Sequence, residues 1–159
     1  MGEFIAVNVG HHFDHTLQAL PIIAIFMPLL AGLGGNIGTQ SITLMVRGLS
    51  TGQVTLSSAL HHILRETSIG LLIGSIFGIL VTAVTWGWQH NMELGIIVGL
   101  AMAINMTMAT IIGTFTPFAL KAMKVDPAVA SGPVIATTID VLGLAIYFTL
   151  VSTFLIKVM

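Results

Sequence analysis

The sequence predicts an all-α polytopic membrane protein, and three observations carry that expectation. Only 7% of the 159 residues are charged and 55% are apolar, with a mean hydropathy of +1.02. A soluble domain carries about 25% charged residues to keep its surface in water. Lipid must therefore be much of this chain's solvent. Four stretches reach the roughly 20 apolar residues that a helix rising about 1.5 Å per residue needs to cross about 30 Å of hydrocarbon. None of the four alternates as a strand does. A backbone in lipid has to satisfy its polar groups internally, so each stretch reads as a helix.

The spans are expected at 17–46, 67–89, 94–120 and 127–156 of a single membrane domain covering 1–159. Charge flanks each of them: Asp14 and Arg47, Glu66, Glu93 and Lys121, Asp126 and Lys157. The first connection, 47–66, holds Arg47 and Arg65; the second, 90–93, holds no Lys or Arg; the third, 121–126, holds Lys121 and Lys124. Basic residues favour the cytoplasmic side, which places the first and third connections inside and both termini outside. The N-terminus lacks the basic region of a signal peptide. Its outward placement is explained either by the loss of a preceding helix or by translocation of the short polar stretch itself.

The first span is unusual. Pro28-Leu-Leu-Ala-Gly32-Leu-Gly34-Gly35-Asn36-Ile-Gly38-Thr39-Gln40 holds four glycines within seven residues, each weakening a helix by about 0.8–1 kcal/mol relative to alanine. Asn36 and Gln40 share a face with Gly32 and Thr43, forming a polar stripe that runs down to Arg47. Two readings stay open. Small residues permit tight packing while the amides bond neighbouring helices, or the stripe is a pore wall whose amides and carbonyls hold water around an ion.

The second and third spans carry packing signals. Gly70, Gly74 and Gly78, and then Gly95, Gly99 and Ala103, recur every four residues, the spacing of a groove that lets another backbone approach. Trp86 and Trp88, with Tyr147 as a further candidate, suit an interfacial aromatic belt.

The fourth span holds Asp140, the only acid inside any of the long apolar stretches. A carboxylate at the centre of a membrane helix costs about 2.5–3.5 kcal/mol on insertion scales, so it faces a partner, a cavity or an ion path. Gly132, Ala136 and Gly143 flank it on one face and leave room for a solvated ion. Thr137 and Thr138 add hydroxyls, and Pro133 removes a backbone donor. A hydrogen-bonded structural acid is the competing reading.

Other chemistry finds little support. A net charge of −1 without a basic cluster gives no argument for nucleic acid, and the absence of cysteine excludes a disulfide framework. No nucleophile–base motif or phosphate-cradling loop occurs, so an enzyme is not expected. An intramembrane aspartyl protease would need a second acid to share its proton, and no other span has one. His11, His12, Asp14 and His15 could hold a transition metal, but a solvated interfacial segment is the favoured reading. His61 and His62 are expected at the interface, in the first cytoplasmic connection.

One acid is not a cage for a divalent ion. Mg2+ dehydrates reluctantly and is held through its waters by one or two carboxylates. A twofold dimer, the commonest oligomer, would bring two copies of Asp140 to one axis.

The segments Pro28–Gln40, Val46-Arg-Gly-Leu49, Asp126-Pro-Ala-Val-Ala-Ser-Gly-Pro133 and Thr138-Ile-Asp-Val-Leu-Gly143 resemble the membrane domain of the MgtE magnesium channel family, and the match covers roughly 17–156. The resemblance implies a homodimeric, Mg2+-selective channel in a bacterial or archaeal plasma membrane. Its pore would lie between subunits and be lined by the first and fourth spans. Asp140, helped by the Ala136 carbonyl, would recognise largely hydrated Mg2+. Gly32, Gly35, Asn36, Thr137 and Gly143 would line the pore. Members of the family carry a cytoplasmic Mg2+-sensing region with paired CBS domains and one further span ahead of this segment. That region is expected here as a separate or removed partner, with Asp126 at its contact. Thr110 departs from relatives that have Asn there. Beside passive conduction stand a proton- or Na+-coupled divalent cation carrier, with Asp140 as the coupling acid, and a non-conducting membrane assembly fragment.

Overall fold

The computed structural model describes residues 18, 21–129 and 132–154, and among these it is helical with no strand. Four helices are long and apolar enough to cross a membrane. Helix α1 spans Met27–Ser50 and continues from a 3-10 segment at Pro21–Phe26. Helix α2 spans Ala59–Gln89, α3 Met92–Ala122 and α4 Gly132–Phe154. The cluster His11, His12, Asp14 and His15 lies outside the described residues.

Local chemistry sets the helix ends. The Ser50 and Thr51 hydroxyls both donate to the Arg47 carbonyl at 2.9 Å, and Gly52 then turns the chain at φ +73°. A Thr55–Ser58 capping box opens the segment leading into α2. At the far end His90 takes a left-handed conformation, its N–H donating to the Trp86 carbonyl at 2.9 Å. Asn91 caps α3 by accepting from the Leu94 N–H at 3.0 Å. Glu93 sits in the first turn of α3 and Lys121 in its last, the charge order the helix dipole favours.

The helices run further than the uncharged stretches. Arg47 falls on the last turns of α1, and Arg65 and Glu66 fall inside α2, so the connections are shorter than the charge pattern implies. The reason is length: 31 residues make a helix of about 46 Å, well beyond a hydrocarbon core of about 30 Å. Charged residues sit comfortably on the ends that emerge into headgroups and water. His61 and His62 belong to the first turn of α2, not to a loop, and His62 stacks on Phe118 of α3 with ring centroids 6.5 Å apart. Tyr147 is buried rather than interfacial, its hydroxyl donating to the Ile23 carbonyl at 3.0 Å. Trp86 and Trp88 are exposed near the end of α2.

Helix α3 is the hub, packing against each of the other three. The α2–α3 contact is the most extensive, and the glycine grooves make it. A Cβ at Gly74 would lie 2.8 Å from the Ala103 carbonyl oxygen, and one at Gly78 would lie 2.6 Å from that of Gly99. Any side chain there would hold the backbones apart. The Thr82 hydroxyl crosses the same seam to the Gly95 carbonyl at 3.0 Å. The opposite face of α2 exposes Leu71, Leu72, Ile76, Ile79, Leu80 and Val84, the surface expected against lipid tails.

Helices α1 and α4 pack together on another side of α3. One apolar cluster gathers Ile23, Leu30, Met102, Met106, Leu144, Tyr147 and Phe148; a second joins Ile42, Ala109, Ile135 and Ile139. Between them lies a layer of small and polar residues.

Candidate ion site between the first and fourth helices

That layer contains Asp140. Its carboxylate rests against Gly35 of α1: a Cβ at Gly35 would lie 2.8 Å from Asp140 Oδ1, 3.5 Å from Cγ and 3.6 Å from Oδ2. Glycine is what allows the acid to touch the α1 backbone. Asp140 Oδ1 is buried and has no hydrogen-bond partner among the described residues, whereas the residue as a whole is only partly buried. A buried oxygen without a donor is costly; a water, a proton on the carboxyl or a hydrated cation would each satisfy it.

Neighbouring positions extend the contact. Gly38 packs on the Ile139 side chain, and a Cβ at Gly113 of α3 would lie 2.5 Å from the Gly38 carbonyl oxygen. The Thr39 hydroxyl donates to the Gly35 carbonyl and the Thr43 hydroxyl to the Thr39 carbonyl, both at 2.8 Å. Gly34, Gly35 and Gly38 are thus the inward face of α1, turned to α3 and α4.

The other face of α1 is open. Gly32, Asn36, Gln40, Thr43 and Arg47 are all exposed, and a Cβ at Gly32 would meet nothing within 4 Å. Asn36 and Gln40 make no side-chain hydrogen bond among the described residues. A shallow groove of about 380 Å³ runs over Thr39, Gln40, Thr43 and Leu44. Amides left unpaired against lipid are unfavourable by several kcal/mol (about 2–7) each, so this stripe calls for water or another protein surface.

The expected site residues divide accordingly. Asp140 and Gly35 touch. Ala136 and Thr137 are partly buried, one turn before the acid. Asn36 and Gly32 lie on the adjoining exposed face of α1. Gly143 is buried against the Asn105 side chain of α3, a contact that by itself accounts for a glycine there. Among the described residues no group of three His, Cys, Asp or Glu side chains converges. One chain therefore offers Asp140 alone as an anionic ligand within the described part of the layer.

Asn105 is the residue that sequence reasoning passed over. It is 1% exposed, and its Nδ2 donates to the Leu30 carbonyl at 2.7 Å. The signal was present, because Asn105 is the only amide in the uncharged stretch 94–120.

A family model described as "Divalent cation transporter", MgtE, matches residues 27–150. A "Magnesium transporter MgtE" of Bacillus subtilis (strain 168) is 36% identical over 151 residues, covering 95% of this chain and 34% of that protein. Proteins of the same description from Enterococcus faecalis and Thermus thermophilus are 36% and 35% identical over 144 and 145 residues, each covering 91% of this chain and 32% of the relative. The chain thus spans about a third of the length of the curated relatives it matches.

Proposed function

The chain belongs to the MgtE family of divalent cation transporters, and from that membership we propose that it conducts largely hydrated Mg2+ through a pore between two copies of itself, with Asp140 as the ion-recognition carboxylate. The three relatives are described as magnesium transporters, which supplies the ion. The observation that carries the site is Asp140 Oδ1, buried against the Gly35 backbone and without a hydrogen-bond donor.

The ion's chemistry fits that observation. Mg2+ holds its waters near 2.0–2.1 Å and is reluctant to lose them, so it is bound through one or two carboxylates plus a shell of polar acceptors. One acid per chain is too little to strip it. Two acids related by a twofold axis match its charge and meet its water shell from opposite sides. The exposed Gly32–Asn36–Gln40–Thr43 stripe supports the same arrangement, since a second copy and a water-filled path would cover polar groups that lipid cannot. In this reading Asn36 and Thr137 touch waters of the ion's shell, the Ala136 carbonyl assists Asp140, and the first and third connections face the cytoplasm.

Cation flux into proteoliposomes tests the proposal. Asp140→Asn keeps the side chain's shape and removes its charge; it is expected to preserve assembly and lose most Mg2+ flux and its preference over Ca2+ and Mn2+. Unchanged uptake would overturn the assignment of Asp140. Flux that drives or dissipates a pH gradient would assign a proton-coupled carrier instead, and cross-linking that showed an active monomer would end the dimeric pore.

A further inference from the structure

We infer that Asn105 is a positioning residue for ion selectivity: it fixes the approach of α1 to α4 and so holds the Asp140 carboxylate in register with Gly35, without itself touching the ion. The inference rests on the reading of Asp140 given above.

The geometry is that of a wedge. Asn105 projects from α3 into the seam where α1 and α4 meet. Its Nδ2 donates to the Leu30 carbonyl of α1 at 2.7 Å. A Cβ at Gly34 would lie 2.6 Å from the same Nδ2 and 3.0 Å from Oδ1. On the other side a Cβ at Gly143 of α4 would press on Oδ1 and lie 2.7 Å from Cγ. The amide is therefore clasped between a glycine of each pore-side helix.

Those two glycines are not arbitrary positions. Gly34 immediately precedes Gly35, which bears on the Asp140 carboxylate, and Gly143 lies three residues beyond Asp140, about one turn along α4. Any tilt or slide of α1 against α4 at the acid must also move the faces that grip Asn105. An apolar residue of similar size could fill the volume but could not bond the Leu30 carbonyl, and the other side-chain bond from α3 to α1, Lys121 Nζ to the Leu49 carbonyl at 3.1 Å, lies about four turns along α1 from Gly35. Small residues alone allow close helix approach; they do not choose one register among several, whereas a directed hydrogen bond does.

The test is a double-mutant cycle on Mg2+-over-Ca2+ and Mg2+-over-Mn2+ flux ratios in proteoliposomes, with oligomeric state and thermal unfolding measured on the same preparations. Asn105→Leu is expected to lower those ratios roughly threefold to twentyfold, the equivalent of one interhelical side-chain hydrogen bond in a membrane protein, while the assembly survives. In an Asp140→Asn background it should change the ratios no further, because there is no carboxylate left to position. An equal effect in both backgrounds would reduce Asn105 to a general packing residue and overturn the inference. So would a drop in unfolding temperature with unchanged ratios. Should Asn105→Leu fail to assemble, Gly143→Ala presses on the same amide from α4 and is judged by the same two comparisons. If Asp140→Asn alone leaves the ratios intact, the Asp140 reading fails; if it collapses them and Asn105→Leu does not lower them, only the present inference fails.

Discussion

Gly35→Ala tests the contact between α1 and α4 with a single methyl group. The added Cβ would lie 2.8 Å from Asp140 Oδ1, whereas ordinary contact begins at 3.4 Å, so the carboxylate or the helix must yield by 0.6 Å. Two local terms oppose each other in stability. Alanine improves helix propensity by about 0.8–1 kcal/mol over glycine, and overpacking a tight contact costs about 1–3 kcal/mol. Asp140 is only partly buried and can rotate, which puts the cost at the lower end, so the net change in folding stability should be small.

The functional change should not be small. A carboxylate that holds Mg2+ through one water sits about 4.5 Å from the ion, given a metal–water distance of about 2.0–2.1 Å and a charge-assisted hydrogen bond of about 2.5–2.7 Å. At an effective dielectric constant near 20, moving it about 0.6 Å further out weakens the attraction by about 0.9 kcal/mol per carboxylate. Two copies give about 1.7 kcal/mol, or close to twentyfold in affinity, when the whole displacement lies along the line to the ion. The expected range is therefore a few-fold to about twentyfold weaker Mg2+ binding with assembly intact. Competition of Mg2+ against a transported reporter ion in proteoliposomes reads the affinity, and size-exclusion chromatography reads the assembly. A Gly35→Ala protein that assembles and keeps its Mg2+ affinity would refute the seat of Asp140 on Gly35 as a determinant of ion binding.

Two further substitutions separate the faces of the fold. Gly78→Leu places a side chain where a Cβ already comes within 2.6 Å of the Gly99 carbonyl oxygen; it should wedge α2 from α3 and destabilise the chain by at least about 1–3 kcal/mol, read as a lowered unfolding temperature in detergent. Gly32→Trp adds a large ring where nothing lies within 4 Å; the single chain should fold normally, while cross-linking between copies and flux should both fall if α1 meets its partner there.

The four spans were legible because hydropathy and helix length answer to one quantity, the thickness of the hydrocarbon. Asp140 stands out in the sequence for the same reason, as a charge among apolar residues. The ends of the helices were not legible. Charge marks where lipid stops being tolerable, and a helix such as α2 has no reason to end there; Arg65 and Glu66 lie well inside it. Tyr147 looked interfacial by residue type, yet its hydroxyl finds the Ile23 carbonyl in the interior, a partner 124 positions away that periodicity cannot identify. Gly35 and Asn36 both stand among the expected pore-lining residues. Successive helical residues point about 100° apart, so one turns to Asp140 and the other outward, and only the packing of α4 says which. Asn105 was missed although it satisfies the rule that singled out Asp140: a strongly polar side chain in a membrane-length stretch needs a partner.

The two faces of α1 explain why its sequence is so rich in glycine and amides together. A helix that only packs against its own bundle needs small residues on one side and apolar ones on the side toward lipid, as α2 has with Gly70, Gly74 and Gly78 inward and Leu72, Ile76 and Leu80 outward. Helix α1 keeps the inward half of that pattern at Gly34, Gly35 and Gly38 but replaces the outward half with Gly32, Asn36, Gln40 and Thr43. Stability within one chain does not ask for that replacement, since leucines there would serve better against lipid. In the dimeric pore proposed above, the polar half would face water or the polar surface of a second copy. Asp140 meets α1 at Gly35, on the inward face and next in sequence to the exposed Asn36, and this is why a change as small as one methyl group at Gly35 is the sharpest test of the site.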